Sequence, residues 1–251
     1  MSEAPLAAIY VESWAAVTIE KPDAEAKRLG ACADESIIPA GHRRRLSAFA
    51  RMAVACGLSV SGADCSDLVF CSRFGDFQLA YRLLLDLVDG TLMSPAAFSL
   101  SVHNSVPGVM DLVRKSRVGH TAVAGGDESL SAGLTESWGK LNAMPASKVT
   151  LVYAESQMPD GVGSNSEMDG AGVAFAMTLS TQKSAAYEGV IRLGAVASDA
   201  PVLEGPASRA LVTRLIAALD MQSDVPLQWR SRGLGWSLNA RSLKAGSDAA
   251  L

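Results

Sequence analysis

Apolar and polar positions switch along this chain between a period of two and a period near 3.6, and the switching predicts an α/β protein. Residues 6–18 (LAAIYVESWAAVT) are dense in apolar and β-branched side chains and predict an opening strand. Residues 21–41, polar and broken by Pro22 and Pro39, predict a loop or irregular insertion. In residues 44–56 (RRLSAFARMAVAC) Leu46, Phe49, Ala53 and Cys56 recur at helical spacing, with Gly57 placed to cap the helix. A buried strand at 67–71 (DLVFC) turns through SRFGD into a helix over 77–88, whose leucines and Tyr81 form an apolar stripe. Ser94-Pro95 breaks the run, and 98–102 predicts the next strand.

A helix from near Asn104 to near Gly119 follows, then a strand of small residues at 121–124 closed by Gly125-Gly126. Another helix spans about 128–141, and 149–155 (VTLVYAE) predicts a strong strand. Residues 159–170 are rich in Gly, Ser and Asp and predict a long loop. Residues 172–179 and 189–196 predict two further strands, expected to pair as antiparallel neighbours. Residues 206–219 predict an amphipathic helix, ahead of a tail that holds Trp229 and Trp236. Together these elements imply a mixed sheet flanked by helices on both faces. With no repeat and no linker composition, residues 1–251 read as one domain.

The stretch with most bearing on chemistry is 93–104 (MSPAAFSLSVHN), followed by 123–129 (VAGGDES). Read as a strand turning into a helix, the first segment would present a nucleophile to the backbone N–H groups at the helix start. No cysteine occurs there; the turn offers Ser101, Val102, His103 and Asn104. Ser101 as nucleophile with His103 as base is a poor arrangement on an extended strand, and no G-x-S-x-G elbow accompanies it. The alternative is that Ser101, His103 and Asn104 cap the next helix and satisfy buried polar groups, Asn104 being a good N-cap residue. Gly125, Gly126 and Asp127 lack the spacing of a nucleotide-binding loop and suit close backbone packing.

Composition narrows the functional classes. A net charge of −4 and a pI near 5.4 argue against nucleic-acid binding, and the one basic run, HRRR at 42–45, reads as a solvated helix start. A mean hydropathy of +0.19 suggests apolar surface held for a partner or a large core. Cys32, Cys56, Cys65 and Cys71 show neither metal spacing nor histidine pairing, and Cys56 and Cys71 sit in apolar runs as core residues. No metal site or cofactor is expected, and Glu155, Asp160, Glu167 and Asp169 read as solvated acids around a loop. Free thiols, the absence of a signal-peptide pattern and the absence of a membrane-spanning run point to the cytoplasm.

Five segments together carry a family resemblance: RRLSAFARMA, SRFGD after a strand, SPAAFSLSVHN before a helix, VAGGDES, and GAGVAF at 170–175. The chain resembles the N-terminal half of β-ketoacyl synthases, enzymes of the thiolase fold, over roughly residues 43–179. SPAAFSLSVHN is the most specific of the five. It is similar to the short synthase-like proteins of aryl polyene pathways, whose role is like that of chain-length factors. The resemblance implies a truncated thiolase-like ketosynthase domain, and it puts His103 at the position where active members carry cysteine. Active members also carry two histidines in a second half, and this sequence has none after residue 175.

A non-catalytic subunit follows from that resemblance, one that pairs with an active β-ketoacyl synthase as a heterodimer and shapes its acyl tunnel in polyketide or fatty-acid-like biosynthesis. Acyl carrier protein would deliver substrate to the partner. Phe98, Leu100, Ser101, His103, Asn104 and Phe77 are then the relict-site and interface candidates, and none is expected to be catalytic. Two other readings stay open: a stand-alone acyltransferase or hydrolase using Ser101 or His103, and a homodimeric protein that binds acyl chains or acyl carrier protein.

Overall fold

The opening strand organises the molecule. In the computed structural model, which describes residues 7–21, 24–61, 66–145, 147–159, 162, 172–194, 202–204 and 207–241, β1 (Ala7–Ile19) lies near the middle of a ten-stranded sheet. The chain continues through β2 (Lys27–Gly30), a 3-10 turn at Glu35–Ile37, α1 (Ala40–Arg43), α2 (Ala48–Val60) and β3 (Asp67–Cys71). Helices α3 (Phe77–Val88), α4 (Pro95–Ser101) and α5 (Ser105–Arg114) follow, then β4 (His120–Val123) and α6 (Ser129–Ala143). Strands β5 (Lys148–Glu155), β6 (Gly172–Ser180), β7 (Gly189–Leu193) and β8 (Val202–Glu204) precede α7 (Ser208–Asp220) and the hairpin of β9 (Leu227–Ser231) and β10 (Leu234–Ala240).

The strand order is β4-β3-β5-β6-β1-β7-β10-β9-β8, with β2 paired to β1 off that path. Strands β4, β3 and β5 run parallel, as do β8 and β9, and the other pairs are antiparallel. The expected mixed sheet with helices on both faces is therefore present. β1 reaches two partners along one edge, β7 beside Ala7–Val11 and β2 beside Ala15–Thr18. A bulge between Val11 and Ser13 makes this possible, because the extra residue shifts the alternation: Ile9 and Val11 share a face with Trp14 and Ala16. On that face α6 and α7 close a core around Leu151, Tyr153, Phe175 and the stacked Trp229–Trp236 pair, whose ring centroids are 6.0 Å apart. On the other face α2 and α5 pack on Phe70, Val152, Ala154 and Ala174.

Four sequence expectations are corrected. Residues 98–102 are not a strand; 98–101 close α4 and Val102 follows it, while Ser94 caps the helix start, its hydroxyl accepting from the Ala97 N–H at 3.3 Å, with Pro95 in the first turn. The alternation of Phe98, Leu100 and Val102 marks no buried sheet face, since α4 buries none of its residues. Gly57 does not cap α2 but lies inside it; a Cβ there would come within 2.7 Å of Met110 Sδ and 2.9 Å of Val152 Cγ2, so only glycine lets α5 and the sheet approach this closely. β6 and β7 are not neighbours, because β1 inserts between them. Residues 21–41 hold a strand, β2, whose partners run from Ala15↔Gly30 to Thr18↔Lys27.

Candidate functional site

The C-terminal ends of the three parallel strands bring two turns and one carboxyl together. β3 ends at Cys71 and hands over to α3 through Ser72–Asp76; β4 ends at Val123 and hands over to α6 through Gly125–Glu128; β5 ends at Glu155. The sequence reading left Glu155 solvated, yet it is 2% exposed. Its parity explains this, since Val149, Leu151, Tyr153 and Glu155 fall on the same side of β5 and the first three are core residues. Burial pushes the Glu155 carboxyl up to about 7, against the opposing pull of the Arg73 N–H bond and the nearby Arg73 and Arg209 charges. The carboxylate accepts that backbone N–H in a short hydrogen bond. Asp160, Glu167 and Asp169 lie outside the described residues.

The two turns are tied to each other and to α7. The Arg73 guanidinium pairs with Asp127. Ser208, at the start of α7, donates to the Asp127 carbonyl at 2.7 Å and accepts from the Leu130 N–H at 2.9 Å. Ser129 accepts from the Gly125 N–H at 3.0 Å and donates to the Gly126 carbonyl at 2.7 Å. Gly126 has φ +63°, a backbone conformation that favours glycine. Burial acts to raise the Glu128 pKa, but hydrogen bonds from Arg232 (2.8 Å) and Ser231 (3.0 Å) outweigh it and hold that carboxyl below its ordinary range.

The candidate residues of the 93–104 segment are placed differently from their sequence reading. Ser101 donates back along its own helix to the Phe98 carbonyl at 2.9 Å, and no hydrogen bond joins it to His103 among the described residues. His103 sits in the turn between α4 and α5, where its Nε2–H donates to the Ser72 carbonyl at 2.9 Å. Its ring packs on Phe70 at 5.5 Å and lies over Gly75, whose φ is +63°. His103 thus braces the β3–α3 turn, the polar-satisfaction role left open by the sequence. Asn104 occupies the N-cap position of α5, but its side chain makes no capping bond. Leu100 is half-buried against the α2–α5 core, whereas Phe98 is 57% exposed. Phe77 stacks between Phe74 (5.8 Å) and Tyr81 (6.2 Å).

Among the described residues no thiol in this neighbourhood is a usable nucleophile. Cys71 and Cys56 are buried, and burial pushes both thiols well up from their ordinary value. Cys32 is exposed, and Cys65 lies outside the described residues. His120, at the start of β4, is held by Asp111 at 2.7 Å. Among the described residues no group of three His, Cys, Asp or Glu side chains is arranged to hold a metal ion.

The family model for the beta-ketoacyl synthase N-terminal domain matches residues 12–237. The chain belongs to that family. No curated protein sequence matches it. Among solved structures, the fold is similar to a chain of the ketosynthase ApeO in complex with its chain length factor ApeC from Xenorhabdus doucetiae. That match has TM-score 0.71 and 21% identity and covers 94% of this chain and 100% of the other. The ishigamide ketosynthase/chain length factor gives TM-score 0.63 at 11% identity, covering 93% and 99%. The AntDE:AntF complex, a type II polyketide synthase acyl-carrier protein with its ketosynthase, gives 0.59 at 10%, again covering 93% and 99%. The thiolase-like ketosynthase fold expected from the sequence is therefore the fold of this chain.

Within this β-ketoacyl synthase-like fold the residues of the polar cluster that sequence reasoning does not find are Arg73, Arg209 and Ser208, together with the buried state of Glu155. Only Glu155 carried a legible signal, its parity on β5. The others depend on which loops the topology brings together. No helix of the described residues is long and apolar enough to cross a membrane.

Proposed function

We propose that this chain is a non-catalytic, chain-length-factor-like subunit that pairs with an active β-ketoacyl synthase and shapes its acyl tunnel. The observation that carries this reading is the turn between α4 and α5, where His103 stands at the position that the resemblance gives to cysteine and donates to the Ser72 carbonyl, supporting the neighbouring turn.

An open apolar surface supports the pairing. Leu84, Leu87 and Val88 of α3, Leu92 beyond it, and Phe98 of α4 are all more than half exposed, and α3 packs on α4, which packs on α5. Helix α5 in turn borders β4, the strand that ends the sheet on this side. Apolar surface beside an edge strand suits a partner with a matching sheet edge. In this reading Phe98 and Phe77 stand at or near the interface, with Leu100, Ser101, His103 and Asn104 behind them. The partner supplies cysteine and histidines, acyl carrier protein serves that partner, and the complex works in the cytoplasm on a polyketide of the aryl polyene type. Residues 1–251 act as one domain.

Reconstitution with an active, full-length β-ketoacyl synthase tests the proposal. A 1:1 complex that condenses acyl units, and keeps doing so when Ser101 and His103 are replaced by alanine, is the expected result. Acyl transfer or hydrolysis by the purified chain alone, lost on either replacement, would overturn it in favour of a stand-alone enzyme. A self-associating chain that ignores the synthase would favour a homodimeric binding protein.

A further inference from the structure

Helix α7 does not lie flat on the sheet over its whole length. Between it and the end of β1, β2 and the start of β6 there is a cavity of about 370 Å³. Its wall along α7 runs from Arg209 to Asp220, about 16 Å at 1.5 Å per residue. Leu29, Val173, Ile216, Ala217 and Met221 give that length an apolar lining. Arg209 stands at one end. Its Nη1 is buried and has no hydrogen-bond partner among the described residues, and burial pushes its pKa down while the nearby Tyr153 and Glu155 oppose that shift. A desolvated guanidinium N–H without an acceptor is costly, and an incoming anion would relieve that cost.

Glu155 acts on Arg209 through its charge but makes no ion pair with it among the described residues, and its described hydrogen bond is to the Arg73 N–H. The remaining charges of the lining, Lys27 against Glu20 and Asp220, are exposed on the rim and screened by solvent. Head-group selection therefore falls to Arg209. We propose that this cavity binds an unbranched amphipathic carboxylate, with its head on Arg209 and its tail along α7 toward Met221. The site lies on the sheet face opposite α2 and α5, so it is separate from the surface proposed for the partner and does not depend on that pairing.

Calorimetric titration of the full chain with decanoate and with 1-decanol tests this. Decanoate is expected to bind at least tenfold more tightly than 1-decanol, and Arg209→Ala to weaken decanoate at least tenfold while leaving the alcohol unchanged. Ala217→Trp, on an exposed face of α7 that lines the tail path, is expected to abolish decanoate binding with an unaltered melting temperature. If Arg209→Ala melts early, Arg209→Lys and Ala217→Trp carry the decision. Failure of the wild-type chain to bind decanoate, or wild-type affinity in the Arg209 and Ala217 variants, would overturn the proposal.

Discussion

Helices α2 and α3 are nearly equal in length and both rich in apolar residues, yet they are used in opposite ways. α2 buries ten of its thirteen residues, including both faces around Gly57. α3 buries Leu83 alone and leaves Leu84, Leu85, Leu87 and Val88 open. α2 is held by packing against the sheet and α5. α3 hangs from a polar root: Asp76 caps it through the Leu79 N–H at 3.1 Å and accepts from Ser47, Glu155 holds the Arg73 N–H, and His103 holds the Ser72 carbonyl. An apolar helix inside a fold is a core element, whereas one standing on a polar root at the sheet margin is a surface kept for something else.

The sharpest way to break this comparison is to disrupt α2. Gly57→Val inserts side-chain atoms where Met110 and Val152 already stand and should lower unfolding free energy by about 3 kcal/mol in denaturant titration. A loss below about 1 kcal/mol would mean that α2 and α5 separate easily and that the contrast is overstated. Next is the root of α3. Because the native Glu155 pKa lies above its unfolded value, near 4.5, the folded protein binds the extra proton between about pH 4.5 and 7. That contribution is fully present below pH 4.5 and is lost as pH rises to about 7. Stability should therefore fall across this window by on the order of 2–3 kcal/mol, and Glu155→Gln should flatten the profile. An unchanged profile in the variant would remove Glu155 from the account.

Smaller effects separate the open surface from the root. Leu87→Asp should weaken synthase binding roughly a hundredfold in a titration while changing the stability of the lone chain by less than about 0.5 kcal/mol. Unaltered binding would place the interface elsewhere. His103→Ala should cost about 1–2 kcal/mol by leaving the Ser72 carbonyl without its donor, whereas Ser101→Ala should change thermal unfolding by under about 0.5 kcal/mol. A reversal of those two effects would contradict the supporting role given to His103 and the peripheral one given to Ser101.

The same contrast explains what could be read from the sequence. Strands β1, β3, β5 and β6 and helix α2 announce themselves because burial writes a strong local pattern. The alternation of Phe98, Leu100 and Val102 suggests a strand, but α4 is a short helix that buries none of its residues, so burial writes no helical pattern there. Ser94-Pro95, an ordinary helix-start signal, held the correct answer. The insertion of β1 between β6 and β7 left no local trace, since register across a sheet is not encoded in adjacent residues. The polar cluster was legible in one residue, Glu155, by its parity with Tyr153. Arg73, Ser208 and Arg209 meet it only through the order of strands, and Arg209 lies more than fifty residues beyond β5.

The central claim is that the chemistry belongs to a partner and that α3 and α4 belong to its interface. Light scattering behind size exclusion, run on this chain with the active synthase proposed as its partner, tests that claim most directly. The account predicts a 1:1 heterodimer burying at least about 1,200 Å², one that Leu87→Asp dissociates. A chain that elutes as a monomer in the presence of the folded synthase would contradict it.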